Sequence, residues 1–489
     1  MGKIDANIKK IKDLNFKSLD IPFYQRPYRW QTTHVETLLN CIKNNLCKEE
    51  YRIGSIILHH DKDKKDKLDI VDGQQRLTTL TLLLLCLDKN TPYKMNCEYR
   101  HSESQQNIYK NFHYIKRWLE QHRQNYDAFK NFVLEKCTVV VIIAEDLSEA
   151  FQMFDSQNGR GKELEAYNLL KAYHLRAIDN DKNQITITDE KKEIDRKWEE
   201  SVLMKNYESE APLLKYIVNE LYRIRQWSKK EKAWPFSKSK VQEFKGVQFD
   251  NGKSPLPLHN PSFLLYLYYS KLKDGTLMDG IAHRTHNCEQ DLNPFVSINM
   301  DIINGKMFFS YIQTYISSYN YLFLTKFQET HPLYQFKRDF EDYCINYGGR
   351  YRTGDCYIRE LYIALVIALF DRFGEEVVAR HYPVLYNLAY RKRLEQQSVF
   401  YKSIVEYPIP FFKIIETAMN ETELDELNTS AANDIECYKL GRSEEGIAKY
   451  IVCNTNAEII CKKDGFIIGE KEYHQEDRIK KSDYDNSKK

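Results

Sequence analysis

Residues 68–80 read Leu68-Asp69-Ile70-Val71-Asp72-Gly73-Gln74-Gln75-Arg76-Leu77-Thr78-Thr79-Leu80, a tight polar cluster set between two apolar runs. Leu68, Ile70 and Val71 suit a short buried strand, Gly73 supplies a tight turn, and the leucine-rich run from Leu77 to Leu87 is too long for a second strand. The stretch therefore predicts strand, turn and helix, with its polar residues at the helix N-terminus. Unpaired N–H groups and the positive end of the helix dipole attract an anion there, and Arg76 can add a forked contact to a phosphate. Asp72 would repel the same anion directly. Its chemistry suits holding a Mg²⁺ that bridges phosphates, orienting a water, or accepting hydrogen bonds from a sugar or base. Gln74 and Gln75 can position that water or read a nucleobase edge. A structural reading stands beside this one, because strand-turn-helix units with Asp-Gly are common and Arg76 could pair with a carboxylate inside the fold.

Upstream lies Ile21-Pro22-Phe23-Tyr24-Gln25-Arg26-Pro27-Tyr28-Arg29-Trp30, and between the two stretches Gly54-Ser55-Ile56-Ile57-Leu58. In this order, and together with Asp72 to Leu80, they closely resemble the GmrS-like family, the N-terminal half of GmrSD-type restriction systems and a relative of the ParB and sulfiredoxin-like fold. A third family element is Phe154-Asp155-Ser156-Gln157-Asn158-Gly159-Arg160-Gly161-Lys162-Glu163-Leu164, followed by Tyr167-Asn168-Leu169-Leu170-Lys171. The family usually has a hydrophobic residue before the Asn and an Asp before the Leu-Leu/Ile-Lys. Here Gln157 and Asn168 hold those places, which puts in doubt any role for a carboxylate at position 168. Read physically, Asn158-Gly159-Arg160-Gly161 is a turn whose glycines let backbone approach a ligand while Asn158 and Arg160 aim polar groups at it, a plain loop being the alternative.

The resemblance implies a nucleotide-binding and nucleotide-hydrolysing domain in bacterial defence against foreign, often modified, DNA. Carried over by position, it points to Asp72, Gly73, Gln74, Gln75 and Arg76, with Tyr24, Gln25 and Arg26 on the facing segment and Asn158, Arg160 and Gly161 closing the site. Arg76, Arg26 and Arg160 would then neutralise phosphate charge, Asp72 would handle Mg²⁺ or water, and the Tyr24 or Trp30 ring would stack on a base. Many relatives carry a C-terminal HNH nuclease domain, and no convincing His-Asn-His arrangement follows Asn420. Cleavage would then belong to a separate HNH-type nuclease or a second GmrS-like protein. The other readings are a non-catalytic sensor of nucleotide or modified DNA that recruits a nuclease, and a DNA-binding adaptor related to ParB by fold.

The resemblance covers roughly the first third of a chain of 489 residues, which is long enough for two or three domains. Lys and Arg number 72 against 70 Asp and Glu, a net charge of +2, so no global field draws the chain onto nucleic acid. With 42 % hydrophobic residues and 35 tyrosines the composition is globular, and helix packing explains most of that tyrosine. The opening Met1-Gly2-Lys3-Ile4-Asp5 reads as a charged, helix-like segment with no secretory character, and the runs Leu77–Leu87 and Leu361–Phe370 are too short to span a membrane. A cytoplasmic protein is expected. Eleven cysteines without a Cys-x-x-Cys pair argue for reduced thiols, and His283, His286 and Cys288 lack the second ligand pair of a zinc site.

The expected fold is α+β: an N-terminal ParB/sulfiredoxin-like α/β domain over 1–175, a helical domain over 176–420, and a small segment over 421–489 ending in a disordered tail. Asp20–Tyr24, Ile53–His59, Leu68–Val71 and Val139–Ala144 read as strands. Leu213–Trp227, Pro261–Leu272, Met307–Leu324, Ile358–Phe373 and Glu375–Gln397 show helical spacing. Ser228–Asn260 reads as a long loop, and Asp61–Lys67 as the turn of a hairpin. From Lys471 onward the chain is charged and is expected to be poorly ordered. Gly349-Arg350-Tyr351-Arg352 and Arg391-Lys392-Arg393 could meet a nucleic-acid backbone, but read first as solvated surface.

Overall fold

The computed structural model describes residues 4–485 apart from 23–24, 61–66, 96, 100, 123–125, 147–148, 151–152, 154–164, 180–183, 207–210, 248–295, 439 and 469–470. The fold is mixed α+β, with an N-terminal sheet and a mostly helical remainder. The chain divides into two compact units, residues 1–176 with 182–199, and residues 177–181 with 200–489.

Five strands form the sheet of the first unit: β1 (Ile4–Lys10), β2 (Leu19–Asp20), β3 (Tyr51–His59), β4 (Leu68–Asp72) and β5 (Cys137–Ala144), in the order β1-β5-β3-β4-β2. β3 runs parallel to β5 and antiparallel to β4, and β1 lies antiparallel along β5. The segment read as helix-like at the N-terminus is thus a strand. Ile4, Ala6 and Ile8 alternate with Asp5, Asn7 and Lys9, a period of two, and the β-branched run of β5 offers them an edge. The strand expected over Asp20–Tyr24 is shorter and earlier, since Pro22 has no N–H for a ladder. Helices α1 (Thr32–Asn44), α2 (Gln74–Leu87), α3 (Ser102–Gln121) and α4 (Tyr126–Glu135) accompany the sheet. From Gln74 to Leu84 every side chain of α2 except that of Arg76 is buried, so this helix is the centre of the unit's core. Two further helices follow, α5 (Ala166–Asp179) and α6 (Gln184–Leu203).

The second unit contains α7 (Leu213–Ser228), α8 (Lys306–Tyr319), α9 (Tyr334–Phe340), α10 (Thr353–Phe373), α11 (Glu375–Glu395), α12 (Ile409–Thr417), α13 (Asp425–Ala432) and α14 (Arg442–Asn454). Helices α10 and α11 meet at Gly374, whose φ of +79° makes the corner. Much of the tyrosine lies here as packing: Tyr311, Tyr315, Tyr362, Tyr386 and Tyr390 are all at most 2 % exposed. The expected loop after Ser228 holds a 3-10 turn at Lys238–Phe244 that buries Phe244. Its remainder, with Pro261–Leu272, His283, His286 and Cys288, lies outside the described residues, as do residues 61–66 of the β3-to-β4 turn.

The charged C-terminal tail departs from expectation. β7 (Ile459–Cys461) lies between β6 (Ile435–Cys437) and β10 (Arg478–Ile479) and pairs with both, β8 (Phe466–Ile468) pairs with β9 (Lys471–Tyr473), and α15 (Lys481–Asp485) follows. Tyr473, Ile479 and Tyr484 are buried, and three well-spaced apolar anchors are enough to order a segment that is otherwise charged. Among the described residues all cysteines are free, and no helix is long and apolar enough to cross a membrane.

Candidate functional site

At the end of β4 the ladder is irregular. Asp72 stands opposite Ile57 but Ile70 opposite Leu58, so Val71 is an extra residue in the strand. Gly73 then takes a φ of +94° with Ile56 against it, where an added Cβ would lie 3.3 Å from that side chain. Helix α2 starts at Gln74 with no side-chain cap and no acidic residue in its first turn, and Leu77 is the first N–H to reach a backbone carbonyl, that of Gly73 at 2.9 Å. The N–H groups of Gln74, Gln75 and Arg76 precede the ladder and form the positive end of the dipole. Arg76 Nη2 meets Asp72 Oδ2 at 3.2 Å, both side chains being half-buried. Burial raises the Asp72 pKa, against the pull of Arg76, the Gly73 N–H and Arg26.

The segment from Ile21 to Trp30 is stapled onto this corner by amides. Gln25 Nε2 donates to Ile70 O at 2.8 Å and to Val71 O at 2.7 Å, taking carbonyls at the irregular end of β4. Gln75 Oε1 accepts from the N–H groups of Arg29 and Trp30 at 2.9 and 3.2 Å, while its Nε2 donates to Pro27 O at 3.1 Å. Both ends of Gln75 are therefore occupied by backbone. Tyr28 is fully buried, its hydroxyl shared with Thr79 at 2.8 Å and Asn111 at 3.0 Å. Trp30 packs against the core beside His34. Arg26 differs from its neighbours: it is exposed, lies in the fields of Arg29 and Asp72, and among the described residues no hydrogen bond or ion pair holds it.

A small cleft adjoins this segment, and Gln25, Arg26, Gln74, Glu98, His101 and Asp195 are on its walls. Behind it lies a chain of buried charges. His101 Nε2 meets Asp195 Oδ2 at 3.1 Å, Asp195 Oδ1 meets the Lys171 ammonium, and Lys171 meets Glu199 Oε1 at 2.8 Å. Lys171 is fully buried. Desolvation alone would lower its pKa, but Glu199 and Asp195 outweigh that and raise it.

Of the residues expected at the site, Gln25, Arg26 and Gln74 share the cleft, and Asp72, Gly73, Gln75 and Arg76 form the corner next to it. Tyr24, Asn158, Arg160 and Gly161 lie outside the described residues. Sequence reasoning missed His101, Asp195 and Glu199 and left Lys171 as a motif residue only. One signal was present: Lys191, Asp195 and Glu199 recur every four residues, one face of α6, and all three are at most 6 % exposed. Such a charged stripe ordinarily reads as a solvated face. Lys171 likewise lies four residues from the buried Tyr167 and Leu175, a cation on an apolar face.

Among the described residues no group of three or more His, Cys, Asp or Glu side chains is placed to hold a metal. Asp72 is a single carboxylate already paired with Arg76, and one carboxylate is the smallest protein donor set with which Mg²⁺ is bound, the rest being waters and phosphate oxygens.

Residues 7–175 match the model of the family described as GmrSD restriction endonuclease, N-terminal domain, and residues 190–442 match that of a family of unknown function (DUF7834). No curated protein matches the chain.

Proposed function

From a chain that belongs to DUF7834 through its central residues and carries the N-terminal domain of a GmrSD-type restriction system, we propose a nucleoside triphosphatase that serves restriction of foreign or modified DNA in the cytoplasm. The domain implies a restriction-system component. The observation that carries the finer reading is the meeting of an uncapped α2 N-terminus with Gln74 and with Arg26, which has no partner among the described residues, at one cleft beside the Asp72–Arg76 pair. The backbone N–H groups of Gln74 to Arg76 with the Arg26 guanidinium are the complement of triphosphate oxygens. Gln74 orients the attacking water or the terminal phosphate. Gln25 and Gln75 act by holding the Arg26 segment in place. Mg²⁺ on Asp72 would offset phosphate charge when bound. Tyr24, Asn158, Arg160 and Gly161 are proposed to close the nucleotide site.

Cutting of DNA is assigned to a separate nuclease or a second GmrS-like protein, and Mg²⁺-dependent cleavage by the purified chain alone would refute that assignment. A sensor that binds nucleotide or modified DNA without turnover is the second reading. The Asp72–Arg76 pair favours it, since each group already neutralises the other.

The test is phosphate release from ATP, GTP, CTP and UTP with Mg²⁺, with and without modified DNA. Asp72→Ala and Arg76→Ala are each expected to lower turnover by about 100-fold or more, the scale of a lost transition-state contact. Saturable nucleotide binding without phosphate release would select the sensor.

A further inference from the structure

His101 is the N-cap residue of α3, and its imidazole lines the cleft shared by Gln25, Arg26 and Gln74. The carboxylate that holds it, Asp195, is 3 % exposed. Asp195 is held in turn by Lys171, Lys171 by Glu199, and Glu199 Oε2 stands 3.7 Å from Arg29 Nη2. Burial by itself would raise the Asp195 carboxyl, but Lys171 and His101 outweigh it and keep its pKa below the ordinary value. The group is thus charged at neutral pH, and the imidazole proton is drawn to the nitrogen that faces it, Nε2. Nδ1 keeps its lone pair, and among the described residues no hydrogen bond occupies it. Closing a cleft wall requires no such apparatus. Three further buried charges hold one ring in one tautomer at the cleft that Arg26 and Gln74 also line, which is the arrangement of a proton acceptor.

We infer that His101 is the general base of this site and Asp195 its positioning residue, an assignment that rests on the triphosphatase reading above. Nδ1 takes a proton from the water whose oxygen bonds to the terminal phosphorus. The bond from that phosphorus to the bridging oxygen breaks, its electron pair leaving with the nucleoside diphosphate, and His101 later returns the proton to solvent. Both supporting carboxylates come from α6, downstream of all three sequence motifs, yet they belong to the first unit. The site is therefore completed by a helix that the motifs do not include.

The experiment uses the full chain with Mg²⁺ and whichever of the four triphosphates turns over fastest. Phosphate release is followed between about pH 5 and about pH 9, alongside binding of the matching β,γ-imido analogue. His101→Asn keeps a residue suited to the N-cap. It is expected to lower kcat by about 10²- to 10⁴-fold and to remove the acid limb of the pH profile, with analogue affinity changed by less than about threefold. His101→Ala should regain turnover when imidazole is added, which a purely structural role would not produce. Asp195→Asn should shift the acid limb as well as lower kcat. A wild type that hydrolyses nucleotide together with a His101→Asn variant of equal kcat and unchanged acid limb overturns the base and leaves the triphosphatase standing. A wild type that binds the analogue but releases no phosphate overturns both.

Discussion

At the scale of single residues, Gly54 shows how much a missing side chain can matter. It sits in β3 at a φ of +149°, and a Cβ there would come 1.9 Å from Arg76 Nη1. Only glycine lets the guanidinium lie across the strand while Nη2 stays on Asp72. Gly54→Ala is expected to push Arg76 aside, to cost about 1–3 kcal/mol through the strained backbone, and to depress phosphate release as strongly as Arg76→Ala. Thermal melts and phosphate assays on the two variants would check this, and a Gly54→Ala protein that melts lower but turns over normally would show that the Asp72–Arg76 geometry is not needed. Nothing in the sequence marks Gly54 for this task, because the clash arises only when α2 packs beside β3. The glutamines are similar. Gln25 and Gln75 look like ligand-reading amides in one dimension, whereas in the fold the Gln25 amide donor and both ends of Gln75 are spent on backbone.

At the scale of elements, the pairing of α5 with α6 depends on Lys171. Lys171→Met would leave Asp195 and Glu199 buried without their cation, expected to cost about 3–5 kcal/mol of stability at neutral pH. The pH dependence has a definite sign. The Lys171 pKa is raised in the fold, so its contribution is complete below the ordinary lysine value of about 10.4 and disappears as pH rises through the higher folded value. The Asp195 pKa is lowered, so its contribution is complete above about 3.9 and disappears as pH falls through the lower folded value. Urea midpoints at about pH 7 and about pH 3 should therefore differ more in the wild type than in Lys171→Met. Equal differences would exclude Asp195 from the acid edge. The sequence reading marked no individual helix over α5 or α6, and their association was not legible either, since a stripe of charge carries no mark of the partner that will bury it. The N-terminal strand is a second case: its period-two pattern is short and weakly apolar, and the open edge of β5 decides its conformation.

At the scale of the whole molecule, buried charge recurs in the helical unit. Arg223 is fully buried between Glu220 at 3.0 Å and Glu360 at 3.1 Å, with its guanidinium 4.7 Å from the Trp227 ring. Burial pushes the Glu220 carboxyl up to about 7 in spite of Arg223. Because the folded group binds its proton more tightly than an ordinary glutamate at about 4.3, stability from this group falls as pH rises from there to about 7. Glu220→Gln should flatten that decline in melting curves, and an unchanged slope would assign it to other groups. The order of the motifs, the strand-turn-helix at Asp72, the four long helices α7, α8, α10 and α11 and the α+β class were legible in the chain, because they rest on local periodicity and on residues that are neighbours in sequence. Only the tertiary structure brought Arg26 and Gln74 to one cleft, placed His101 against Asp195, committed Gln25 and Gln75 to backbone and folded the charged tail onto Tyr473, Ile479 and Tyr484. The physical reason is separation. Local pattern determines which surface of an element is apolar, while the meeting of groups dozens of residues apart is decided by which surfaces pack together, and that choice is a property of the packed whole.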